Sequence, residues 1–261
     1  MNFEVSGPFP ANELFSLNPA RPVAGLPEFA NLKADPLPQW KGSPEIFRGP
    51  GIYGIFCRGE LYYVGIYTGD KGRTFAGSVL KRWNMHLTYH SVRSPRVKFA
   101  KRELQKIVAH IHGEPADSIA RLLGGRDIDV DRLSPNDVPL IEKSGGSCTS
   151  NKVRFAQKNW DIFAPGSEAL MGSEISFVYG RYLPSNTCFL DGHAPSTVSY
   201  GWAKYRWLQE RETRLVKLLK PMCNAVTSDF REGVSVAEFI AALTNELNLP
   251  LLAMPVQSEA A

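Results

Sequence analysis

The sequence has few cysteines and no long apolar run. Its four cysteines, Cys57, Cys148, Cys188 and Cys223, are far apart and form no CxxC pair. Neither a zinc site nor a disulfide framework is indicated, and separate reduced thiols in a cytoplasmic protein are expected. No stretch approaches the roughly 20 apolar residues that span a bilayer, and the N-terminus lacks a basic-then-apolar signal pattern, so we expect no membrane partner.

Neither sign of charge is in large excess, because the net charge is only +4. Its distribution is uneven: residues 71–106 contain ten lysines and arginines against one acid, whereas residues 113–142 contain seven acids and three arginines. A concentrated basic segment predicts a polyanionic partner. A solvated basic helix face would have the same composition, and charge alone does not decide between the two.

The chain divides at Gly51. Residues 1–50 hold nine of the nineteen prolines, which argues against long helices or central strands and predicts an extended arm with at most a short helix at 11–16. After Gly51, GIYGIF (51–56) and LYYVGIY (61–67) flank a turn-like CRGE, which predicts a β-hairpin. A basic, glycine-punctuated loop at 68–77 follows.

Apolar spacing then predicts helices at about 77–90 and, with a basic surface, at 95–112. EISFVYGRY (174–182) alternates as a strand, and a helix at about 201–220 ends at Pro221. Ser235 and Glu238 form a capping box for a last amphipathic helix with Phe239, Ile240, Leu243 and Leu247 as its apolar stripe. The segment 113–172 has no firm assignment.

Several polar residues stand out against this framework. Tyr53 and Tyr63 lie in the two hairpin strands, where tyrosine is common in any case. Arg82 and His86 are four residues apart on one helix face, a spacing that surface charge also produces. Glu212 precedes apolar residues at i+3, i+4 and i+7, which places a carboxylate on the buried side; a bound cation or a nearby arginine would compensate it.

Taken in order, these residues resemble a known family. GIY, then YVG, then Arg-x-x-x-His, then Glu-x8-Pro-x2-Asn ending at Asn224 resembles the GIY-YIG nuclease superfamily, over about 51–90 and 174–226. The chain departs from the family pattern in four respects. YVG replaces YIG, and the gap between the two motifs is slightly short. Ile66 stands where many relatives have a basic residue, and about 125 residues separate His86 from Glu212.

The resemblance implies an α+β fold with a small core, a three-stranded, mostly antiparallel sheet flanked by helices. Here a large mixed insertion and extra terminal segments would surround that core. The expected organisation is a Pro-rich arm (1–50), a nuclease domain (51–226) with an insertion (91–173) for DNA recognition, and a C-terminal helix and tail (227–261).

The family's chemistry is phosphodiester hydrolysis with one divalent ion, Mg²⁺ or in its place Mn²⁺, on Glu212, giving a 5′-phosphate and a 3′-hydroxyl. By resemblance Tyr53 is the general base, helped by His86, and Arg82 stabilises the phenolate and holds the phosphate. Tyr63 and Asn224 would orient water, tyrosine and phosphate, although Asn224 could instead hydrogen-bond across to the hairpin.

The inserted mass resembles that of the compact type II restriction endonucleases of this superfamily, which implies double-stranded DNA as substrate and a homodimer for a palindromic site. The arm and the last helix are candidate dimer surfaces. The candidate DNA-binding residues are lysines and arginines of the loop, the basic segment and the 144–155 stretch: Lys71, Arg73, Arg93, Arg96, Lys98, Lys101, Arg102, Lys152 and Arg154.

Two alternatives stay open at the level of the sequence. One is a structure-specific or non-specific nuclease of repair or phage origin, because fold does not fix substrate. The other is a non-catalytic DNA-binding protein on a decayed nuclease scaffold. The polar stretch at 144–155 is equally compatible with an ordinary loop.

Overall fold

The structure is a computed structural model that describes residues 3–21, 23–42, 44–70, 74–133, 146–183, 208–224 and 229–248. The strands are β1 Phe3–Pro10, β2 Phe15–Pro19, β3 Leu32–Pro36, β4 Gly51–Cys57, β5 Glu60–Tyr67, β6 Val97–Phe99, β7 Gly146–Cys148 and β8 Ile175–Tyr182. The α-helices are α1 Ala11–Leu14, α2 Leu80–His90, α3 Lys101–His110, α4 Ala116–Leu122, α5 Ser150–Lys158, α6 Trp160–Phe163, α7 Glu168–Glu174, α8 Gln209–Leu219 and α9 Val236–Asn248. Short 3₁₀ turns occupy Pro38–Trp40, Glu45–Phe47 and Val130–Arg132.

An antiparallel sheet of four strands, in the order β1-β8-β4-β5, is the centre of this α+β fold. The predicted hairpin is β4–β5, and its turn residues Arg58 and Gly59 have φ of 53° and 78°, the conformation that a tight two-residue hairpin turn requires. The resemblance implied three strands, and the fourth is β1. It lies at the edge of the sheet, where prolines in a strand cost no ladder hydrogen bonds.

The first fifty residues therefore form part of the folded core. β1 pairs with β8 along most of its length, with an irregularity between Ser6 and Phe9. β2 and β3 form a separate two-stranded ribbon, and Leu14 and Phe15 are buried with the core residues of the sheet. The segment is extended with one short helix, α1, as predicted, and its apolar side chains pack on the core. It is integrated into the sheet through β1, which the sequence did not predict.

A β-bulge interrupts the hairpin beside two consecutive tyrosines. Ile55 pairs with Tyr63 and Phe56 pairs with Leu61, so Tyr62 is the additional residue on β5. A bulge changes the strict alternation of side chains between the two faces of a sheet. As a result both Tyr62 and Tyr63 contact the same side chain, His90, with ring centroids 5.5 Å and 4.6 Å away.

Each face of the sheet has its own apolar core. On the first face Trp83 of α2 stacks on Phe177 of β8 with ring centroids 4.6 Å apart, and buried residues of the insertion such as Leu104 and Val153 continue the same cluster. On the second face α8 and α9 cover the strands. Their buried apolar residues are Leu215, Leu219, Phe239, Leu243 and Leu247. The insertion thus shares one core with the sheet that it interrupts.

Most predicted helices are present with altered bounds. The basic segment predicted as one helix over 95–112 begins as strand β6, whose Val97 and Phe99 are buried and which pairs in parallel with β7; only then does α3 start. The strand predicted at 174–182 is β8. Of the helix predicted at 201–220, the described part is α8, which ends at Lys220 in a left-handed conformation (φ 46°) before Pro221.

The Ser235 half of the predicted capping box is present, since the Ser235 hydroxyl accepts a hydrogen bond of 3.2 Å from the Glu238 backbone N–H. The Glu238 carboxylate pairs with Arg231, 2.7 Å away. The last helix was a candidate dimer surface. Its apolar stripe does not serve that role, because Phe239, Leu243 and Leu247 are buried against the chain's own sheet, whereas the opposite face of the helix is exposed.

The outer edge of β5 is covered by the chain that follows α8. The Leu61 N–H donates to the Val234 carbonyl at 2.8 Å, and the Cys223 N–H donates to the Tyr62 carbonyl at 2.9 Å. Cys57, Cys148 and Cys223 are buried free thiols, and Cys188 falls outside the described residues. Within those residues no helix has the length and apolarity needed to cross a membrane.

Candidate active site

Tyr53 lies in the middle of β4 and is fully buried. Its hydroxyl oxygen is 2.6 Å from Nε2 of His86 on α2, a short hydrogen bond of the length expected for a hydroxyl partner. Gly65 of the YVG motif is the cross-strand partner of Tyr53, and a Cβ added there would come within 2.5 Å of the tyrosine hydroxyl oxygen. Glycine at this position therefore leaves the space that the Tyr53 hydroxyl occupies.

Helix α2 presents a polar row beside its apolar stripe. Trp83 and Leu87 are buried and fix the helix on the sheet. Beside them His86 and His90, four residues apart, are also buried, and Nδ1 of His86 is 3.2 Å from Nε2 of His90. Arg82 is exposed, and its positive charge acts on the buried Tyr53 hydroxyl, whose pKa it lowers; the long stem of an arginine lets its charged end reach towards buried groups.

Tyr63 completes an aromatic cluster around His86. Its ring centroid is 4.6 Å from that of His86 and 6.3 Å from that of Tyr53. The Lys152 ammonium of α5 lies 5.9 Å from the centroid of the Tyr63 ring, within cation–π range. The insertion therefore places a positive charge directly at the tyrosine–histidine cluster.

Burial sets the protonation states of this cluster. It raises the pKa of Tyr53 well above its ordinary value, and Arg82 opposes the effect; the pKa of Tyr63 rises to about 12 for the same reason, with Glu212 adding to it. Burial, then Arg82 and Lys152, lowers the pKa of His86 well below its ordinary value. At neutral pH the tyrosines are therefore protonated and His86 is uncharged.

Glu212 acts electrostatically on the cluster from α8. It lies in the first turn of that helix, whose apolar residues cover the second face of the sheet, and its charge raises the pKa of both Tyr53 and Tyr63. Glu212 is half-buried, and burial raises its pKa to about 7, with Arg82 acting against the rise. Among the described residues it makes no hydrogen bond or ion pair.

A divalent cation fits this carboxylate. A half-buried carboxylate with a raised pKa and no protein partner is stabilised by a cation, and Mg²⁺ takes few protein carboxylates and keeps several waters. Within the described ranges no group of three or more His, Cys, Asp and Glu side chains could hold a metal. A cation at Glu212 would therefore use this one carboxylate and complete its coordination with water and substrate oxygens.

Asn224 makes its contacts with the hairpin. The Val64 N–H donates to Oδ1 of Asn224 at 2.7 Å, and Nδ2 of Asn224 donates to the Val64 carbonyl at 2.8 Å. Both polar ends of the amide are thus used by the backbone next to Tyr63. Of the two roles open at the level of the sequence, the hairpin contact is the observed one; Asn224 holds β5 in position.

One predicted DNA contact is in the interior. Arg93 is fully buried, with its guanidinium 2.6 Å from the Glu168 carboxylate and hydrogen-bonded to the Asn31 side chain and the Phe29 carbonyl. An arginine with these partners connects α7 to the N-terminal segment and has no surface to offer a phosphate. The prediction that Arg93 binds DNA is therefore wrong.

The remaining basic candidates differ in their exposure. Arg96, Lys101 and Arg102 are exposed, and Lys98, Lys152 and Arg154 are half-buried. Lys101 donates to the Asp131 carbonyl and Arg102 lies 3.8 Å from Glu103, so both already have weak partners on the protein. Lys71 and Arg73 are outside the described residues.

Two residues at the site were not assigned to it from the sequence. His90 was not singled out, although the row Arg82, His86, His90 repeats a four-residue spacing on one helix and contained the signal. Lys152 was expected on DNA rather than beside Tyr63, and nothing in its local sequence predicts that contact. It follows from the docking of α5, whose first residue Ser150 is held by the buried Glu103 at 2.8 Å.

Comparison with protein-family models, with curated proteins and with solved structures gives no match to this chain.

Proposed function

We propose that this chain is a divalent-metal-dependent DNA endonuclease of the GIY-YIG type. The observation that supports this most is the hydrogen bond of 2.6 Å between the buried Tyr53 hydroxyl and His86. The Tyr63 ring lies at that pair, and the charges of Arg82 and Glu212 act on Tyr53. This is the set of side chains that the ordered sequence motifs imply.

Hydrolysis requires a proton acceptor for the attacking water. Tyr53 is protonated at rest, so it can take the water proton only if its own proton leaves at the same time. His86 is neutral and in contact, and it accepts that proton at Nε2. The oxygen of the water then attacks phosphorus, the bond from phosphorus to the 3′ oxygen breaks, and that oxygen leaves as a hydroxyl after taking a proton from solvent.

Positive charge supports this step. The imidazolium that His86 would become is disfavoured in a buried site, but the approach of a phosphate anion compensates that cost. Arg82 can donate to both Tyr53 and a phosphate oxygen, since guanidinium has several donors. Glu212 would hold the divalent cation, which when bound neutralises charge on the phosphate and on the leaving oxygen.

We further propose double-stranded DNA as the substrate and restriction as the activity, carried out by a cytoplasmic homodimer at a palindromic site. The insertion shares a continuous core with the catalytic sheet, so recognition and catalysis would be parts of one body. Its exposed cations Arg96, Lys101 and Arg102 are placed to contact phosphates. With the apolar stripe of the last helix buried within the chain, a dimer contact would use other surfaces.

Digestion of a sequenced genome-sized DNA with Mg²⁺, followed by sequencing of the fragment ends, tests the proposal. Discrete fragments with one common end sequence are the expected result, with 5′-phosphate and 3′-hydroxyl ends. A smear would replace restriction by a nuclease without sequence preference. Binding without cleavage in either Mg²⁺ or Mn²⁺ would overturn the enzymatic proposal in favour of a DNA-binding protein.

Two variants test the assigned residues. Tyr53→Phe removes only the hydroxyl that His86 contacts, and Glu212→Gln removes only the carboxylate charge. Each is expected to lower the cleavage rate at least about 10²-fold, the scale of a lost proton-transfer group or metal ligand. Tyr89→Phe, which removes a hydroxyl from α2 outside the cluster, is the matched control and should cut as the wild type does.

A further inference from the structure

His90 is buried in the candidate site without a role in the proposed reaction. It is 1% exposed, its Nε2 is 3.2 Å from Nδ1 of His86, and its own Nδ1 is buried with no hydrogen-bond partner. Buried polar atoms in folded proteins are nearly always hydrogen-bonded, so an exception requires an explanation. Two hydrogen bonds connect Tyr53 to His86 and His86 to His90, and which atom donates in each determines where His90 carries its proton.

The direction begins at the Tyr53 hydroxyl, which has one proton to donate and two lone pairs. Among the described side chains its hydrogen-bonding partner is Nε2 of His86. If His86 donated through Nε2, two buried groups would lack a partner, the Tyr53 hydroxyl proton and Nδ1 of His90. If Tyr53 donates to Nε2 of His86, only Nδ1 of His90 lacks a partner, so this direction is favoured.

This direction fixes the tautomer of His86. A neutral imidazole has one N–H; when Nε2 accepts, the proton is on Nδ1 and must itself be donated. The only atom in contact with Nδ1 of His86 among the described hydrogen bonds is Nε2 of His90. His90 then accepts at Nε2 and carries its proton at Nδ1, the buried atom without a partner.

We propose that His90 is a positioning residue for the Tyr53–His86 pair. Its Nε2 holds His86 as the Nδ1–H tautomer and so keeps Nε2 of His86 open to the proton of Tyr53. The series of hydrogen bonds from Tyr53 through His86 ends at Nδ1 of His90, whose buried N–H has no acceptor. The effect of His90 on catalysis rests on the proposed function, but the tautomer of His86 does not.

The surroundings of His90 keep it able to accept. Tyr62 and Tyr63 face it from β5, His86 adjoins it on α2, and the charges of Lys152 and Arg82 act on it from α5 and from the start of α2. Burial, followed by these neighbours, lowers the pKa of His90 well below its ordinary value. A charged imidazole has no lone pair to offer, so a neutral His90 is a condition of the arrangement.

Nitrogen NMR of the free protein tests the tautomer without any substrate. Long-range proton–nitrogen correlations distinguish Nδ1–H from Nε2–H in a neutral imidazole. We expect His86 to carry its proton on Nδ1 in the wild type and to move towards Nε2–H in His90→Phe, where no acceptor remains. A wild-type His86 protonated on Nε2, or no change in His90→Phe, would overturn the proposal.

Cleavage kinetics test what the tautomer does. His90→Phe should lower kcat on the order of 10²-fold with little change in KM, because a misoriented imidazole impairs the chemical step and leaves DNA binding intact. His90→Gln, whose amide oxygen can take the position of Nε2, should recover most of that loss. His110→Phe, at the exposed end of α3, is the matched control.

The two kinds of result are separable. If Phe and Gln at position 90 reduce kcat equally in folded variants, His90 fills space and the proposal fails. If the wild type cuts no DNA at all, the nuclease proposal fails, and the nitrogen spectra still decide whether His90 sets the His86 tautomer.

Discussion

Replacing Glu212 with glutamine should stabilise the metal-free protein at alkaline pH. The structure raises the pKa of this carboxyl from 4.5 to about 7, which corresponds to about 3 kcal/mol at ~1.4 kcal/mol for each tenfold change in ionisation. The side chain is partly exposed, so solvent screening reduces the expected effect to about 1–2 kcal/mol.

The pH dependence has a definite sign. Because the folded-state pKa of Glu212 is the higher one, the unfolded chain loses this proton first as pH rises. The associated stability is fully present below about pH 4.5 and is lost as pH rises through about 7. Glu212→Gln does not titrate, so it should match the wild type at about pH 4 and exceed it by about 1–2 kcal/mol at about pH 8.

Urea unfolding in EDTA at the two pH values measures this difference. For a chain of this size the same free energy would raise Tm by roughly 3–6 °C. Added Mg²⁺ should stabilise the wild type and not the variant, since a ligand stabilises the state that binds it. Glu210→Gln, two residues earlier on α8 and paired with Arg214 at 2.7 Å, is the control and should lose only about 0.3–0.5 kcal/mol.

A Glu212→Gln variant that is no more stable than the wild type at pH 8 would refute this reasoning. It would mean that the carboxylate is compensated in the folded chain without a metal. Glu212 would then need no cation to compensate its charge, although the sequence resemblance would be unaffected.

Three further predictions concern the space beside Tyr53, the buried Arg93 and the exposed Arg102. Gly65→Ala places a Cβ 2.5 Å from the Tyr53 hydroxyl oxygen. It should lower the free energy of unfolding in urea by about 1–3 kcal/mol and, by displacing Tyr53, lower the cleavage rate at least about tenfold. Gly42→Ala, whose Cβ would have nothing within 4 Å, should change neither. Glu168→Ala leaves the buried Arg93 without its carboxylate and should cost about 3–5 kcal/mol with an unchanged salt dependence of DNA binding. Arg102→Ala should leave the stability nearly unchanged and reduce the slope of log K for DNA binding against log salt concentration by about one. A change of that slope in Glu168→Ala would instead restore Arg93 as a DNA contact.

The sequence predicted the elements whose signal is local. The β4–β5 hairpin, the β8 strand, α2 and the Ser235 cap depend on turn residues, alternation and spacing within a few residues, and each is present. It also predicted which polar residues to group, because GIY, YVG and the Arg-x-x-x-His helix are short motifs. The structure does bring Tyr53, Tyr63, Arg82 and His86 together.

What the sequence did not predict depends on contacts far apart in the chain. β1 joins the sheet because β8, more than 160 residues later, offers it an edge. Arg93 belongs to a basic segment by composition, but the positions of Glu168 and Asn31 decide that it is interior. Lys152 reaches Tyr63 only because Glu103 holds the start of α5. None of these pairings leaves a periodic pattern in the sequence.

The covering of the β5 edge affects how copies of this chain can meet. An uncovered edge strand presents free N–H and C=O groups to which a strand of another molecule can add. Here Asn224 occupies those groups at Val64, and Cys223 and Val234 occupy others at Tyr62 and Leu61. Strand addition along β5 is therefore blocked, and a chain cut after residue 220 would regain it and be prone to aggregate.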